Sequence, residues 1–434
     1  MLSATSVLAD SLRRVTRGLP STFWFLWAGS LINRLGSFVV PFLAIYLTDQ
    51  RHLSTGEAGS IVAVFGLGAL LSSPTGGYFA DRVGRRATLL FGLFTSSAAM
   101  LTLGFLREPA LIAVVTFVVG FTTELIRPAV SATVADVVGP EHRLTAFTAL
   151  YWAANLGFSV APVIAGFMAT RSFTALFVAD AATTFLYALL VLWKVPETKP
   201  ESDIPAAAAP DGVRPSLPGF VRRTWERLGY QEIVRDGVFV SFCALSFLLA
   251  VLFFQHNSTL ALEIRRELGP QGFGAIIAVN GILICLVQPF VARTLTRFRR
   301  SHVLAVSAVL VGFGFGLNAW AHTAPLYVLG VVVWTLGEIA SSPVASALVA
   351  DLSPTHARGR YQAVFSMCWG LAFFAGPLAG SFVMEKLGAR TLWLSCVGLC
   401  GLIAAGHMAI AAPRRRWMES LRAAGLTATG GSGE

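Results

Sequence analysis

"GGYFADRVGRR", residues 76–86, packs one Asp and three Arg into a short connection. The chain behind it (58–80) and the chain ahead (87–106) carry no charged side chain. An apolar run of about 20 residues is the length that crosses a ~30 Å hydrocarbon core as a helix. The quoted stretch therefore reads as a tight reversal between two membrane-crossing helices.

The rest of the chain repeats this alternation. Of its 434 residues 55% are hydrophobic and 13% charged, with a mean hydropathy of +0.68, whereas a soluble domain carries about 25% charged residues. Twelve apolar segments of spanning length can be marked: 23–48, 57–80, 87–106, 109–136, 144–169, 172–194, 237–263, 271–293, 302–321, 325–350, 359–385 and 389–412. The fold class expected is an all-α polytopic membrane protein. The formal charge of +10 raises nucleic acid as a partner, but its distribution answers otherwise. With the N-terminus inside, 24 of the 33 Lys and Arg fall in inner regions and 7 in outer loops, leaving Arg34 and Arg127 within the membrane. That asymmetry is the positive-inside bias. It predicts a multi-pass protein of the inner (plasma) membrane with both termini cytoplasmic, and it needs no nucleic acid. The five cysteines all lie in apolar segments without metal-ligand or disulfide-framework spacing. The first 21 residues lack the layout of a cleavable signal.

The longest break in hydrophobicity, 196–236, is a Pro/Ala/Asp/Glu-rich cytoplasmic linker. Its second half alternates basic and aromatic residues, so 217–234 is compatible both with a helix lying on the membrane surface and with a solvated tether. The linker divides the chain into a 1–22 tail, a 23–195 bundle of six spans, a 237–412 bundle of six, and a 413–434 tail. The bundles repeat at a constant offset of 215: "VADVVGPEHR" (134–143) finds "VADLSPTHAR" (349–358), and Arg82, Arg85, Pro128 and Pro162 find Arg297, Arg300, Pro343 and Pro377. A six-helix unit duplicated in parallel is a common plan of secondary transporters, whose substrate sites lie near the midplane between the repeats.

Gly77 and Asp81 share one face at the inner end of span 2. An acid at a helix C-terminus is unfavourable unless positive charge meets it. Gly84 permits the reversal, Arg85 and Arg86 open span 3, and Asp136 at the end of span 4 is a candidate partner for them. Together with Arg82 these residues read as a latch between helix ends.

At this point the chain resembles the major facilitator superfamily, and within it the twelve-helix drug:proton antiporter group. "GYFADRVGRR" is similar to the superfamily's loop signature Gly-x-Leu-Ala-Asp-Arg-x-Gly-Arg-Arg/Lys, with Phe79 in place of Leu, between spans 2 and 3. The resemblance implies two six-helix repeats over roughly 20–412 and a gating role for Asp81 and Arg85, the loop bridging the halves in the outward-open state. In the second repeat Thr296 stands where Asp81 would recur. "GFSVAPVIAG" (157–166) resembles the antiporter signature Gly-x-x-x-Gly-Pro-x-x-Gly-Gly: Gly157, Pro162 and Gly166 match, while Ala161 and Ala165 replace glycines. Small residues at four-residue spacing also allow close helix packing on their own account.

Charges at membrane depth are costly and normally face a partner or a wet cavity. The chain has Arg34 in span 1, Glu124 and Arg127 in span 4, Asp180 in span 6 and Glu338 in span 10. By resemblance, spans 1, 4, 7 and 10 line the central cavity. Glu124 and Glu338 are the candidate proton carriers, since a carboxylate in low dielectric holds a proton more readily than one in water. Arg34 and Arg127 would hold them or bind an anionic group, and a fixed salt bridge of Glu124 with either Arg is the alternative. Asp180 is expected in a packing role. Asn33, Gln255, His256 and Asn280 could orient a ligand, with Tyr151, Trp152, Phe254 and Trp369 as an apolar wall. The expected function is proton-driven export of small amphipathic or lipophilic compounds by alternating access. Proton-coupled uptake of peptides or polar nutrients and lipid flipping are the alternatives. No nucleotide-binding loop, nucleophile elbow or metal cluster is present in the sequence, so neither an enzyme nor a cofactor is expected. The partners expected are a small molecule, protons and the bilayer, around a monomer.

Overall fold

The computed structural model describes residues 19–139, 142–199, 231–295, 297–354 and 357–423. Thr296 and most of the linker, including 217–230, lie outside the described residues, as do 1–18 and 424–434. The Asp81 side chain is likewise outside what is described, although Asp81 itself sits in the last turn of its helix.

Twelve spans are present among the described residues, each a helix or a pair of helices. Span 2 is Thr55–Arg82, span 3 Arg85–Leu103, span 4 Pro109–Val137, span 5 Arg143–Ala169 and span 6 Phe173–Lys194. In the second half, span 9 is Arg300–Gly316, span 10 Ala324–Leu352, span 11 Arg358–Leu387 and span 12 Ala389–Ala409. Spans 7 and 8 run through one long helical stretch that reaches Leu295, divided at Gly269, whose φ of 72° a side chain would resist. Local chemistry sets several starts. Ser54 and Glu57 form a capping box at span 2, Ser172 caps span 6, and the Asp236 carboxylate accepts from the Phe239 N–H at 2.9 Å to cap span 7.

Two spans differ from the uninterrupted helices the sequence suggests. Span 1 is broken into Ser21–Leu35 and Val39–Arg51. The buried Asp180 carboxylate, from span 6, accepts from the freed N–H groups of Phe38 (3.0 Å) and Val39 (3.1 Å). Broken backbone at membrane depth is tolerated where protein satisfies it, and here one aspartate does so. Span 7 is interrupted by a 3₁₀ turn, Phe254–Asn257, after Gly237–Phe253. The C-terminal segment also departs from a plain tail. Helix Ala411–Ala423 folds back on the second bundle, burying Arg414, Met418 and Leu421, and the Trp417 indole donates to the Leu352 carbonyl at 3.3 Å.

The two six-span bundles are joined at one end and parted at the other. At the joined end one apolar cluster crosses between them, with Phe42, Phe65 and Ala165 from the first bundle and Phe253, Phe273 and Phe373 from the second. At the other end the apolar residues divide into two separate clusters. One holds Phe23, Leu89, Ala146 and Tyr187; the other holds Phe239, Phe242, Leu348 and Met418. Two seams make the junction. Span 2 lies on span 11, where a Cβ on Gly66 would overlap the Phe373 backbone, and span 5 lies on span 8, where a Cβ on Gly274 would overlap the Pro162 carbonyl. Without a hydrophobic drive between helices in lipid, such close approach is what packs them. Arg265 seals the joined end, its Nε donating to Asp49 Oδ2 at 2.9 Å, and Glu385 accepts from the Gly56 N–H.

Candidate functional site

The charged residues of spans 1 and 4 come together at mid-depth. Glu124 pairs with Arg127 across one helical turn, Nε to Oε2 at 3.1 Å, and the Arg127 side chain is 64% exposed against 26% for Glu124. Arg34 lies within electrostatic range of both, and its stem packs on Gly157, where a Cβ would overlap it. Among the described residues Arg34 forms no ion pair within 4.0 Å. Of the two partners open to Glu124, Arg127 is the one in contact.

Glu338 has a different setting. Its Oε2 accepts from the Asn280 amide at 2.8 Å, and the same amide donates to Thr335 Oγ1 at 3.1 Å. No cation lies within ion-pair distance of it among the described residues. Around the span 7 turn an aromatic group assembles. The His256 ring stacks on Trp334 and on Phe254, meets Phe158 edge-on, and its Nδ1 is bonded to the Phe253 carbonyl oxygen. Trp369 stacks on Phe253 and stands edge-on to Phe254, which contacts Phe373 at 4.3 Å between centroids. Trp334 and Phe158 were not singled out in the sequence, because a lone aromatic in a span reads as packing.

The remaining polar candidates are engaged elsewhere. Gln255 is buried with its amide donating to Val251 O (3.0 Å) and Gly376 O (2.8 Å), and Asn33 donates to Thr184 on span 6 at 2.8 Å. Both amides are consumed by helix packing. Tyr151 and Trp152 are exposed toward the parted end, and the Tyr151 hydroxyl donates to Gln288 across the span 5–span 8 seam at 2.9 Å. The Gly157–Gly166 motif runs along two contacts: Gly157 meets span 1, while the Pro162 carbonyl and Gly166 meet span 8, with Ala161 buried between.

The described contacts of the span 2–3 turn lie within its own bundle. Arg85 Nε donates to Asp136 Oδ2 at 3.0 Å. Gly84, at φ 125°, leaves room for Glu197, whose two carboxylate oxygens accept from the Arg85 N–H (2.8 Å) and the Arg86 N–H (3.2 Å). Burial pushes the Glu197 carboxyl up, but backbone N–H groups of Lys199, Arg85, Thr198 and Arg86 outweigh it and hold the group below its ordinary value. Arg86 donates to the Leu192 carbonyl at 2.6 Å, Arg82 to the Tyr78 hydroxyl at 2.6 Å, and Lys199 to the Arg82 carbonyl at 2.9 Å. A Cβ on Gly77 would meet nothing within 4 Å. The sequence reading missed Glu197; its signal was an acid placed directly after span 6. The repeat offset also carries the Arg85–Asp136 pair onto Arg300–Asp351, which is in contact at the corresponding place in the second bundle.

A family model described as Major Facilitator Superfamily matches residues 26–261 and 245–424. The chain is a member of the Major Facilitator Superfamily. It is 26% identical over 389 residues to the uncharacterized MFS-type transporter YttB of Bacillus subtilis, covering 88% of this chain and 93% of that protein. It is 24% identical to a Na(+), Li(+), K(+)/H(+) antiporter of Planococcus maritimus (79% and 84% covered) and 23% identical to the multidrug resistance protein MdtH of Salmonella paratyphi B (91% and 96%). The crystal structure of peptide transporter POT in complex with sulfate superposes with a TM-score of 0.77 at 17% identity, covering 93% of this chain and 96% of that one. At that identity the likeness concerns the fold. The transporter is thus a multi-pass secondary transporter of small molecules, not an enzyme.

Proposed function

We propose that this transporter is a proton-coupled exporter of small amphipathic or lipophilic compounds, working as a monomer in the plasma membrane with both termini cytoplasmic. In that orientation the parted end faces the cytoplasm and the described state is inward-open. The observation that carries the reading is the contrast between the two central carboxylates. Glu124 is paired with Arg127, whereas among the described residues the Glu338 carboxylate meets the neutral Asn280 amide and no cation. A carboxylate without a cation in a low-dielectric site is disfavoured as an anion, so it holds a proton until solvent or a cationic ligand reaches it. The aromatic group around His256 and Trp369 offers apolar faces to a lipophilic ligand, and the engagement of Gln255 and Asn33 in packing leaves few amides for a sugar or peptide. The two relatives named as antiporter and multidrug resistance protein point the same way. The contacts of the span 2–3 turn among the described residues lie in its own bundle, with open space before Gly77, and we read this as the disengaged form of the latch. It would meet the second bundle when the inner end closes.

The test is a proteoliposome assay under an imposed pH gradient, following ethidium and lumenal pH together. The reading expects ethidium to move against the proton flux in wild type and both fluxes to be lost in Glu338→Gln. Ethidium moving with the proton, or peptide moving in its place, would support uptake instead.

A further inference from the structure

Inside the second bundle a narrow cavity of about 50 Å³ is lined by Glu338, Ser341 and Ser342 of span 10, Ser246 of span 7, Trp369 of span 11 and His407 of span 12. Glu338 stands at the midpoint of span 10, whereas His407 lies in the last turn of span 12, beside Phe242 in the first turns of span 7. The cavity therefore runs from mid-membrane toward the parted end, within one bundle. His407 is 1% exposed and its Nδ1 has no hydrogen-bond partner among the described residues. A buried polar atom without a partner is rare, and a water in an adjoining cavity is the usual resolution. A cavity of this size accommodates a few waters, given that one needs at least ~10–15 Å³ and two to four polar partners. The serine hydroxyls, the carboxylate and the ring nitrogen supply those partners.

We propose that this cavity is a water-filled proton path joining Glu338 to His407, so that protons leave the coupling site through the second bundle rather than through the substrate cavity. It rests on the reading of Glu338 as the coupling carboxylate. The Glu338 carboxyl gives its proton to the first water as that water passes one onward. The last water protonates His407 Nδ1, and the ring releases a proton from its other nitrogen at the inner end; one proton enters and one leaves. Next to the two ends of the path stand the Asn280 amide, which donates to Glu338 and to the Thr335 hydroxyl, and the Arg414 guanidinium of the C-terminal helix beside His407, while the thiols of Cys243 and Cys368 meet each other between spans 7 and 11. A route separate from the ligand lets an exporter release its proton inward without that proton sharing the opening by which the bulky substrate enters.

Two variants test it in proteoliposomes with ethidium and a lumenal pH dye. His407→Phe keeps an aromatic ring against Phe242 but removes both nitrogens, and Ala345→Leu fills the cavity from another wall while leaving His407 intact. Both are expected to slow proton flux by roughly a hundredfold or more, the lower end of what a positioned acid–base group contributes, with ethidium binding unchanged. Wild-type proton flux in both variants, with flux lost in Glu338→Gln, overturns the path and leaves the coupling role of Glu338 standing. Wild-type flux in Glu338→Gln overturns both. If wild type moves no ethidium, a density map of the protein decides: ordered water linking Glu338 to His407 supports the path, and a dry cavity refutes it.

Discussion

The Asp49–Arg265 pair fixes how firmly the joined end is closed, and its removal has a calculable effect. Arg265 donates through Nε to Asp49 Oδ2 at 2.9 Å and through a second nitrogen to Oδ1; the aspartate side chain is 14% exposed and the arginine 37%. A charge-assisted hydrogen bond contributes about 1.5–3 kcal/mol when buried, while fully exposed pairs contribute ~0–1 kcal/mol. A pair with both partners partly buried falls between, at about 1–2 kcal/mol. Asp49→Asn should weaken the joined state by that amount, and since 1.4 kcal/mol is tenfold, the population open at that end should rise roughly five- to thirtyfold. Spin labels at Glu108 and Thr323, exposed on the loops that precede spans 4 and 10, report the separation by pulsed electron resonance in a background without the five native cysteines. A longer-distance component should appear in Asp49→Asn, and Arg265→Gln on top of it should add little. A distance distribution unchanged by Asp49→Asn would refute the assignment of this pair as the lock of the closed end.

Asp180→Ala should strip the buried Val39 N–H of its acceptor and leave the Phe38 N–H with the Gly36 carbonyl alone, costing about 1–3 kcal/mol, read as lost thermal stability in detergent, while Asp180→Asn should retain more of it. Gly120→Ala would drive a methyl group into the Phe65 carbonyl between spans 4 and 2; about 1–3 kcal/mol of overpacking should appear as lowered folded yield. Glu197→Gln should lower stability by about 1 kcal/mol, the ordinary worth of a helix N-cap. The folded pKa of Glu197 lies below its ordinary 4.5, so this contribution is present above about pH 4.5 and lost as pH falls through the folded value. Melting curves of wild type and Glu197→Gln should therefore differ at neutral pH and converge in acid. Arg127→Gln removes an exposed partner, so stability should change by less than about 1 kcal/mol, measured in the same melts.

The six-plus-six organisation was legible because the bilayer imposes span length and because duplication leaves a constant offset. Pro128 and Pro343, or Pro162 and Pro377, sit inside intact helices at equivalent places, so the repeat survives even where proline alone would argue for a break. The breaks in spans 1 and 7 were not legible. At the span 1 break the Val39 N–H, and the Phe38 N–H together with the Gly36 carbonyl, find an acceptor in Asp180, more than 140 residues away. The contact of Arg85 with Asp136 follows from two helix ends meeting on one membrane face, but Glu197 joins them across 112 residues of chain. Single polar residues were the least legible: Gln255 and His256 are neighbours in sequence, yet one is spent on a helix contact and the other stacks in the aromatic group. The docking of Ala411–Ala423 was hidden because a run of three arginines reads as solvated, whereas Arg414 is turned inward to Ser301.

The central claim is that Glu338 carries the proton that exchanges with substrate. The most direct measurement is proton release on ethidium binding to the purified transporter in weakly buffered detergent solution. Wild type should release protons as ethidium saturates, and Glu338→Gln should bind the dye without release. Equal release from both proteins would contradict the account.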